Sequence, residues 1–380
     1  MPALAASIAL KAQTPARLAR AIEETLARVR QPAAGLVFVS GSSSAELEEL
    51  VLAVSGVASG VPLLVVCGAG VLTERGELED QPGVAAIVWA GGRAEALAIE
   101  ASGADEVGEA LARTIADRAG RTAPTVITFV RPEGFGPHVL EPLGQVRGAH
   151  NVFGGGSAPG LPLYAIGPDG RLAKGAAVAL IVRDAPPPAI ASSPACKLLM
   201  PLRRISECRG SMITQIEDEP ALDVLSAVGQ ELSDQPLILA VLADEETPLQ
   251  TGRPELLLRA VQGVDPVRRG LIVSDEVKNG MRLAFAIRDG GSARIDLEAA
   301  TRDLAREIAG ALPRFGLYVN CAGRGFSLHG AHDVDTRILR ARFGDIPLAG
   351  LQSSFEIAPH AGRPALKLYT GVVALFTAPS

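Results

Sequence analysis

The feature that most constrains this chain is an order of predicted elements that recurs along it: strand, helix, strand, helix, strand, strand. The first occurrence contains two short apolar runs, Gly35–Ser40 and Pro62–Cys67, on either side of a segment that Ser43 or Ser44 can cap as a helix. Short apolar runs that alternate with helix-length segments are typical of βαβ units. The sequence therefore predicts an α/β fold in which mixed β-sheets are layered with helices.

The same order appears three times, which predicts about three duplicated β-α-β-α-β-β units. The first two span residues 3–91 and 94–184, and the third spans about 281–379, with its first strand at Arg282–Ile287 and a helix at Val334–Phe343. In the second unit a helix is predicted over Ala104–Ala119. The alternative is that the three segments share only the alternation of strands and helices that is common in βαβ proteins.

A chain of 380 residues is longer than one hydrophobic core usually requires. The Pro-rich run APPPAI, at Ala185–Ile190, is stiff and divides the chain. The predicted organisation is an N-terminal domain at 1–184, a linker at 185–195 and a C-terminal domain at 196–380.

Charge and composition exclude several classes of partner. The net charge of −6 is mild, and no basic face points to a nucleic acid or an anionic membrane. The uncharged stretch Val51–Thr73 is long enough to cross a bilayer, but Ser-Gly pairs and Pro62 interrupt it. The N-terminus lacks the basic residues of a signal peptide, and the four cysteines form no CxxC pair. We therefore expect a cytoplasmic protein with free thiols, no nucleic-acid partner and no membrane partner.

Three turns rich in Gly or Ser occupy matching places in the three segments. They are Gly68–Gly70, Gly154–Gly156 and Ser353–Glu356. Neither a helix start nor a GK[ST] motif follows them, so they do not predict a phosphate cradle. Each is explained by a tight turn between strands, but three such turns meeting at one place would form a pocket.

The motif Cys321-Ala-Gly-Arg324-Gly places a thiol at a strand end, three residues before a guanidinium. A cation lowers a thiol pKa, and His332 could serve as the base, so Cys321 is a candidate nucleophile. A small buried thiol is the simpler interpretation. Arg324 is the better candidate for an anion ligand, because its planar fork suits a carboxylate.

The pair His332-Asp333 precedes a predicted helix. Capping by Asp333 or Asp335 is the simplest interpretation, and ligation of a metal or a haem iron by His332 is the alternative. Glu356 follows a strand, where a carboxylate could bind an amine or accept backbone hydrogen bonds in the turn.

These residues resemble the signature of FIST proteins, a family of sensory proteins with an N-terminal and a C-terminal domain. The resemblance covers nearly the whole chain, and its C-terminal part matches at Cys321, Gly323, Arg324, Gly325, His332, Asp333, Pro347, Leu348, Gly350, Glu356, Ile357, Pro359, Tyr369 and Thr370. The Gly-Gly-Ser at 155–157 and a turn at Asp218, Pro220 and Ala221 also match.

The chain departs from the family pattern at three positions. Leu351 replaces a Phe, Phe355 replaces a Gly, and Lys367 stands where a His is common. Phe355 would fill space beside the pocket, and Lys367 replaces a titratable group with a fixed charge. The ligand of the relatives is therefore not expected to fit here without change.

The resemblance implies an intracellular sensor that binds a small molecule, an amino acid or a derivative, and acts on a separate signalling protein. No cofactor is required, although some relatives bind haem, and an enzyme that uses Cys321 is a further alternative. The candidate ligand-binding residues are Arg324, Glu356, Gly155, Gly156, Ser157, Ser353, Ser354, Cys321, Gly68 and Lys367, and His332 is the candidate haem ligand.

Overall fold

The computed structural model describes residues 4–11, 14–58, 60–118, 123–230, 232, 236–244 and 256–377. The predicted unit ends at residues 3 and 379 and the predicted helix end at Ala119 lie outside these residues. The chain divides into two compact units: the first comprises residues 1–193, 294–366 and 370–380, and the second comprises residues 194–293 and 367–369.

The α-helices are α1 (Pro15–Arg28), α2 (Ser44–Val57), α3 (Ala104–Arg118), α4 (Ala221–Gln230), α5 (Gly290–Glu307), α6 (Phe326–His329) and α7 (Val334–Phe343). Short 3-10 helices span Pro137–Gln145, Ala149–Asn151 and Ala322–Arg324. The strands of the first half are β1 (Ala5–Lys11), β2 (Pro32–Ser40), β3 (Leu63–Gly68), β4 (Gly70–Thr73), β5 (Gly76–Glu79), β6 (Gly83–Ala90), β7 (Arg93–Ile99), β8 (Thr125–Val130), β9 (Val152–Gly156), β10 (Leu163–Ile166), β11 (Leu172–Gly175), β12 (Ala177–Arg183) and β13 (Ala189–Pro194). Those that follow are β14 (Cys196–Leu198), β15 (Arg203–Arg209), β16 (Met212–Ile216), β17 (Glu219–Pro220), β18 (Ile238–Ala243), β19 (Leu257–Asp265), β20 (Gly270–Val273), β21 (Arg282–Arg288), β22 (Pro313–Cys321), β23 (Leu348–Ser353), β24 (Glu356–His360), β25 (Arg363–Lys367) and β26 (Thr370–Thr377).

Within the described residues, the first unit is built on three sheets with the same strand plan. Their orders are β1-β6-β2-β3-β10-β11, β7-β12-β8-β9-β24-β25 and β13-β26-β22-β23-β4-β5. In each sheet the second strand of the order runs antiparallel to the third, and the third runs parallel to the fourth. The mixed α/β fold predicted from the sequence is therefore confirmed, whereas an origin by duplication stays a prediction.

Each segment of the first unit gives its hairpin to the sheet of another segment. Hairpin β4–β5 pairs with β23 in the third sheet, β10–β11 pairs with β3 in the first, and β24–β25 extends the second sheet from β9. The three exchanges follow one another in a closed cycle. No sheet of this unit is therefore completed by its own segment.

The main hydrophobic core lies between the inner faces of these three sheets. Trp89 of β6 stacks on Phe315 of β22 with 5.0 Å between ring centroids, and Phe315 stacks on Phe376 of β26 at 4.3 Å. Phe38 of β2 meets Phe129 of β8 edge to face at 5.5 Å. Aromatic pairs in these arrangements add to the stabilisation from burial. These aromatic side chains thus pack in the core between the sheets.

Helices cover the outer faces of the sheets. The first sheet is covered by α1 and α2, which bury residues such as Leu18 and Leu47 against it, and the third is covered by α5 and α7 through Leu297 and Leu339. Of the two candidate caps, Ser43 caps helix α2. It forms a capping box, because Ser43 and Glu46 satisfy each other's backbone N–H groups.

The second unit has its own sheet and core. Its strands follow the order β14-β21-β15-β16-β20-β19-β18, and β18 also pairs with β21. The buried guanidinium of Arg259 is paired with Asp275, with 2.7 Å between Nε and Oδ2. The strand predicted to open the third duplicated segment, at Arg282–Ile287, exists as β21 but belongs to this sheet. The corresponding place in the third sheet is taken by β13, which lies within the segment predicted as a linker.

Among the described residues, no helix has both the length and the apolar character that crossing a bilayer requires. The compact units are made of separate segments of the chain, so they do not test the boundaries predicted at 184 and 196. Those boundaries stay a prediction.

Candidate functional site

The three turns singled out in the sequence meet at one junction. The N–H of Ala69 donates to the carbonyl oxygen of Gln352 at 2.9 Å, and the N–H of Ser354 donates to Gly156 at 3.2 Å. The N–H of Ala158 donates to Cys67 at 2.7 Å and closes the ring. The junction lies where β3, β9 and β23 end, and its use as a ligand pocket stays a prediction.

The glycines of this junction are needed for close packing. A Cβ atom on Gly156 would lie 2.2 Å from Oγ of Ser354, and one on Gly155 would lie 2.5 Å from the carbonyl oxygen of Phe355. A Cβ on Gly68 would lie 2.4 Å from Cδ1 of Leu351. Such distances are below van der Waals contact, so only glycine permits these backbones to approach. The structure gives these glycines a packing role, and ligand contact by them stays a prediction.

Glu356 is a fully buried carboxyl group at this junction. Its Oε2 accepts the N–H of Thr370 at 3.1 Å, and Oγ of Ser353 lies 2.9 Å from its Oε1. The same Oγ lies 3.1 Å from the carbonyl oxygen of Asn320. A hydroxyl has one proton and a carbonyl only accepts, so both contacts are full hydrogen bonds when Glu356 is protonated and donates to Ser353. Burial raises the pKa of Glu356 well above its ordinary value, and this outweighs its hydrogen bonds and the charge of Arg324.

Arg324 is held inside the protein by contacts with Asp335 and Ser193. Its Nε lies 2.6 Å from Oδ2 of Asp335, Nη1 donates to the carbonyl oxygen of Ser193 at 2.8 Å, and Nη2 to Oγ of Ser193 at 3.1 Å. The hydroxyl of Tyr318 donates to the same Oδ2 of Asp335 at 2.7 Å. Burial alone would lower the pKa of Arg324, but the carboxylate of Asp335 raises it above its ordinary value. The carboxylate that Arg324 was expected to bind is therefore present within the chain.

The expectation that Asp333 or Asp335 caps α7 through its side chain is wrong. Asp333 occupies the cap position in a left-handed conformation with φ 60°, and its carboxylate makes no capping hydrogen bond. Its Oδ1 instead accepts the N–H of Glu77 from β5 at 2.7 Å. Asp335 points inward, where burial would raise its pKa, but Arg324 and His329 lower the pKa to about 2.

Hairpin β4–β5 brings two further carboxyl groups to this region. Glu77 accepts the N–H of Thr336 at 3.1 Å, and Glu79 accepts the N–H of Phe326 at 2.8 Å. Burial, with the negative charge of Asp335, raises the pKa of Glu77 to about 8. At neutral pH the protonated form of Glu77 therefore predominates.

His332 stands at the surface. Its side chain is 66% exposed, its Nδ1 lies 4.0 Å from Oε1 of Glu79, and its ring stacks on Phe326 at 4.8 Å between centroids. In the described part of the chain, no three His, Cys, Asp or Glu side chains are arranged to hold a metal ion. Haem ligation by His332 stays a prediction.

The remaining candidates are divided between the interior and the surface. Cys321 is partly exposed at the end of β22, opposite Ser353 in register, and Ser354 is exposed beside it. Ser157 is buried, and its N–H donates to the carbonyl oxygen of Val130. Lys367 is buried and belongs to the second unit.

Phe355, the departure expected to fill space at the pocket, is buried. Its ring stacks on that of Phe135, with 4.8 Å between centroids and an angle of 11° between the planes. The aromatic side chain therefore closes one side of the junction.

Sequence reasoning missed several side chains that the structure brings to Arg324. Tyr318, Glu77 and His329 carried no motif of their own, and Asp335 was considered only as a cap. The signal that could have found Tyr318 is its place two residues before Asn320 on one apolar strand, because a phenol or amide inside a buried strand needs a polar partner.

Comparison with known proteins places the chain in a family. Residues 33–219 match the FIST N domain, and residues 221–359 match the FIST C domain. Uncharacterized proteins from two strains of Mycobacterium tuberculosis are 33% identical to it over 174 residues, which cover 44% of this chain and 45% of theirs. An uncharacterized protein of Mycobacterium bovis is 31% identical over 178 residues, again 44% of this chain and 45% of the relative.

The match therefore spans less than half the length of these curated relatives. FIST domains generally act as sensory domains in signal transduction, and the two domain matches together cover most of the sequence. The chain belongs to the FIST family.

Proposed function

We propose that this protein is an intracellular sensor that binds a small amine-bearing ligand, an amino acid or a derivative, and passes the signal to a separate signalling protein. The observation that carries the proposal is Glu356, a carboxyl group buried where the three turns meet. A buried carboxyl group whose pKa is strongly raised is a candidate functional group, because keeping it costs stability.

An amine suits this group for an electrostatic reason. A cationic ammonium beside Glu356 would favour its ionised form, and the proton now shared with Ser353 would leave as the ligand binds. Arg324 is close enough to Glu356 to lower the pKa of that carboxyl, but its charge is already paired with Asp335, so the proposal depends on the amine and not on a carboxylate of the ligand. The exposed side chain of Ser354 lies at the outer side of the junction.

Isothermal titration calorimetry with a panel of amino acids tests the proposal. We expect the binding enthalpy measured in phosphate and in Tris to differ, because the released proton is taken up by the buffer. Glu356→Gln keeps the size of the side chain and resembles the protonated form, so it should fold normally. In that variant both the proton release and most of the affinity should disappear.

Glu49→Gln, on the exposed face of α2, is the matched control and should bind as the wild type does. Binding whose enthalpy is independent of the buffer, or binding unaffected by Glu356→Gln, would show that Glu356 is not the amine ligand. No binding across the panel would reject the amino-acid class.

A further inference from the structure

Buried side-chain atoms without a hydrogen-bond partner concentrate at one end of the third sheet. Within the described residues, seven such atoms belong to five side chains: Asn320 (Nδ2 and Oδ1), His329 (Nδ1 and Nε2), Gln352 (Nε2), Asp335 (Oδ1) and Glu79 (Oε1). Native interiors leave few polar groups unpaired, and each such group calls for a physical reason. A concentration of them at one place indicates a site for a polar molecule.

Strand register places these side chains on one face of the sheet. Asn320 on β22 lies opposite Gln352 on β23, Gln352 opposite Gly70 on β4, and Gly70 opposite Glu79 on β5. Residues directly opposite in adjacent strands lie on the same face. Gly70 leaves space for the side chain of Gln352, because a Cβ at Gly70 would lie 2.2 Å from Oε1 of Gln352. The polar row is thus continuous from the amide of Asn320 to the carboxyl of Glu79.

This face is the outer one, turned away from the turn junction. Asn320 follows Tyr318 by two residues, and Tyr318 packs with the residues of α5 and α7, whereas Val319 packs in the core between the sheets. The segment before α7, which contains His329, lies over the row. Nε2 of His329 is 3.2 Å from Oδ1 of Asp335, but the two atoms do not have the geometry of a hydrogen bond. The site is therefore separated by the sheet from the inner face.

The unpaired atoms define what the site would accept. The two amide nitrogens offer N–H donors, and Oδ1 of Asn320 with the two carboxyl oxygens offers acceptors. The negative charge of Asp335 is balanced by Arg324. The amide nitrogens of Asn320 and Gln352 need acceptors, and the carboxyl oxygens need donors, so a molecule that both donates and accepts hydrogen bonds suits the row better than a simple ion.

We propose that Asn320, Gln352 and the carboxyl oxygens of Glu79 and Asp335 form a second binding site, for a small uncharged molecule with a carboxamide or urea group. Such a group presents N–H donors and a carbonyl acceptor within one plane, and it can satisfy amide and carboxyl partners at once. This site and the amine site at Glu356 use different side chains, although Arg324 is close to both, and binding at either can be tested alone.

Acetamide and urea, below denaturing concentrations, are suitable probes. For a molecule of about four non-hydrogen atoms, the best attainable affinity corresponds to a dissociation constant of roughly tens of micromolar. We expect a saturable change in the side-chain NH₂ signals of Asn320 and Gln352 in ¹⁵N-resolved NMR spectra of the wild-type protein. The signals are assigned by their absence from Asn320→Leu and Gln352→Met.

The two variants also test the site directly. Each replaces a buried amide that has at least one unpaired atom with an apolar side chain of similar size, so neither should be much less stable than the wild type without ligand. Both should lose the rise in melting temperature that acetamide causes. Thr128→Val, which removes a buried hydroxyl of the second sheet, is the control and should retain the rise.

Three results would overturn the proposal. The first is the absence of any saturable NMR change with either probe. The second is a melting-temperature rise that survives in both Asn320→Leu and Gln352→Met, since binding would then occur elsewhere. The third is an experimental structure with the probe present in which these amides contact ordered water alone.

Discussion

At the scale of single residues, the polar interior of the first unit depends on one ion pair. Arg324 and Asp335 are both buried, Tyr318 donates to Oδ2 of Asp335, and Ser193 accepts from Arg324. A buried pair of this kind contributes little compared with an apolar pair of the same shape, but removing one partner leaves an isolated charge. The pair is therefore a point of vulnerability more than a source of stability.

Asp335→Asn should lower the free energy of unfolding by about 3–5 kcal/mol, because Arg324 would remain buried without its counter-charge. Urea denaturation monitored by circular dichroism measures the change. Asp345→Asn is the control: it breaks the exposed pair with Arg340 and should have no measurable effect. Equal effects of the two substitutions would contradict the role assigned to burial.

The pH dependence of stability should show two opposite slopes. Asp335 has a lowered pKa of about 2, so its contribution is present above its unfolded value of about 4 and is lost as the pH falls towards 2. Glu77 has a raised pKa of about 8, so its contribution is complete below about 4.5 and is lost as the pH rises through 8.

Glu77→Gln should therefore reduce the loss of stability between pH 5 and pH 8, by on the order of 1–3 kcal/mol. Urea titrations at several pH values give the slopes. With Glu49→Gln as the exposed control, an unchanged slope in Glu77→Gln would show that Glu77 does not titrate as expected.

At the scale of elements, the hairpin β4–β5 is fastened to the third segment through Asp333. This residue holds a left-handed backbone and accepts the N–H of Glu77. Gly76 is required beside it, because a Cβ there would lie 2.7 Å from Oδ1 of Asp333. The beginning of α7 and the hairpin therefore fit each other through one short polar contact.

Three substitutions at Asp333 separate backbone strain from hydrogen bonding. Asn tolerates the left-handed conformation and retains an acceptor, so Asp333→Asn should be nearly neutral. Asp333→Gly relieves the backbone strain but removes the hydrogen bond. Asp333→Ala removes the hydrogen bond and leaves the backbone strained. Asp333→Ala should be the most destabilising, by about 1–3 kcal/mol. Thermal unfolding of the three variants gives the order, and a variant with Gly less stable than one with Ala would contradict it.

At the scale of the whole molecule, most helices and the longer strands of the three segments could be predicted from the sequence, whereas the hairpins β4–β5, β10–β11 and β24–β25 were not predicted. Helix α7 was predicted at its observed bounds, and the meeting of the three turns followed from their equivalent positions. The exchange of hairpins could not be predicted, because short strands such as β4 and β10 have the same apolar pattern and nothing local selects their partner. Strand β13 was missed because its Pro-rich start is typical of a linker.

The closed ring of turns makes a prediction about cooperativity. The amides of Ala69, Ser354 and Ala158 each donate to a different segment, so none can open without disturbing the other two. Native-state hydrogen exchange should give the three amides the same free energy of opening, close to that of global unfolding. If one of these amides exchanged through a local opening of much lower free energy, the ring would not be a cooperative unit.

The exchanged hairpins also determine when folding can finish during synthesis. Hairpin β4–β5 leaves the ribosome early, but its bond from Glu77 to Asp333 spans 256 residues. Until the third segment is made, β4 has an unpaired edge and the third sheet does not exist. Contacts of such high contact order slow folding and leave strand edges open to aggregation. The first segment of such a fold therefore cannot complete its strand pairing until the last segment has been synthesised.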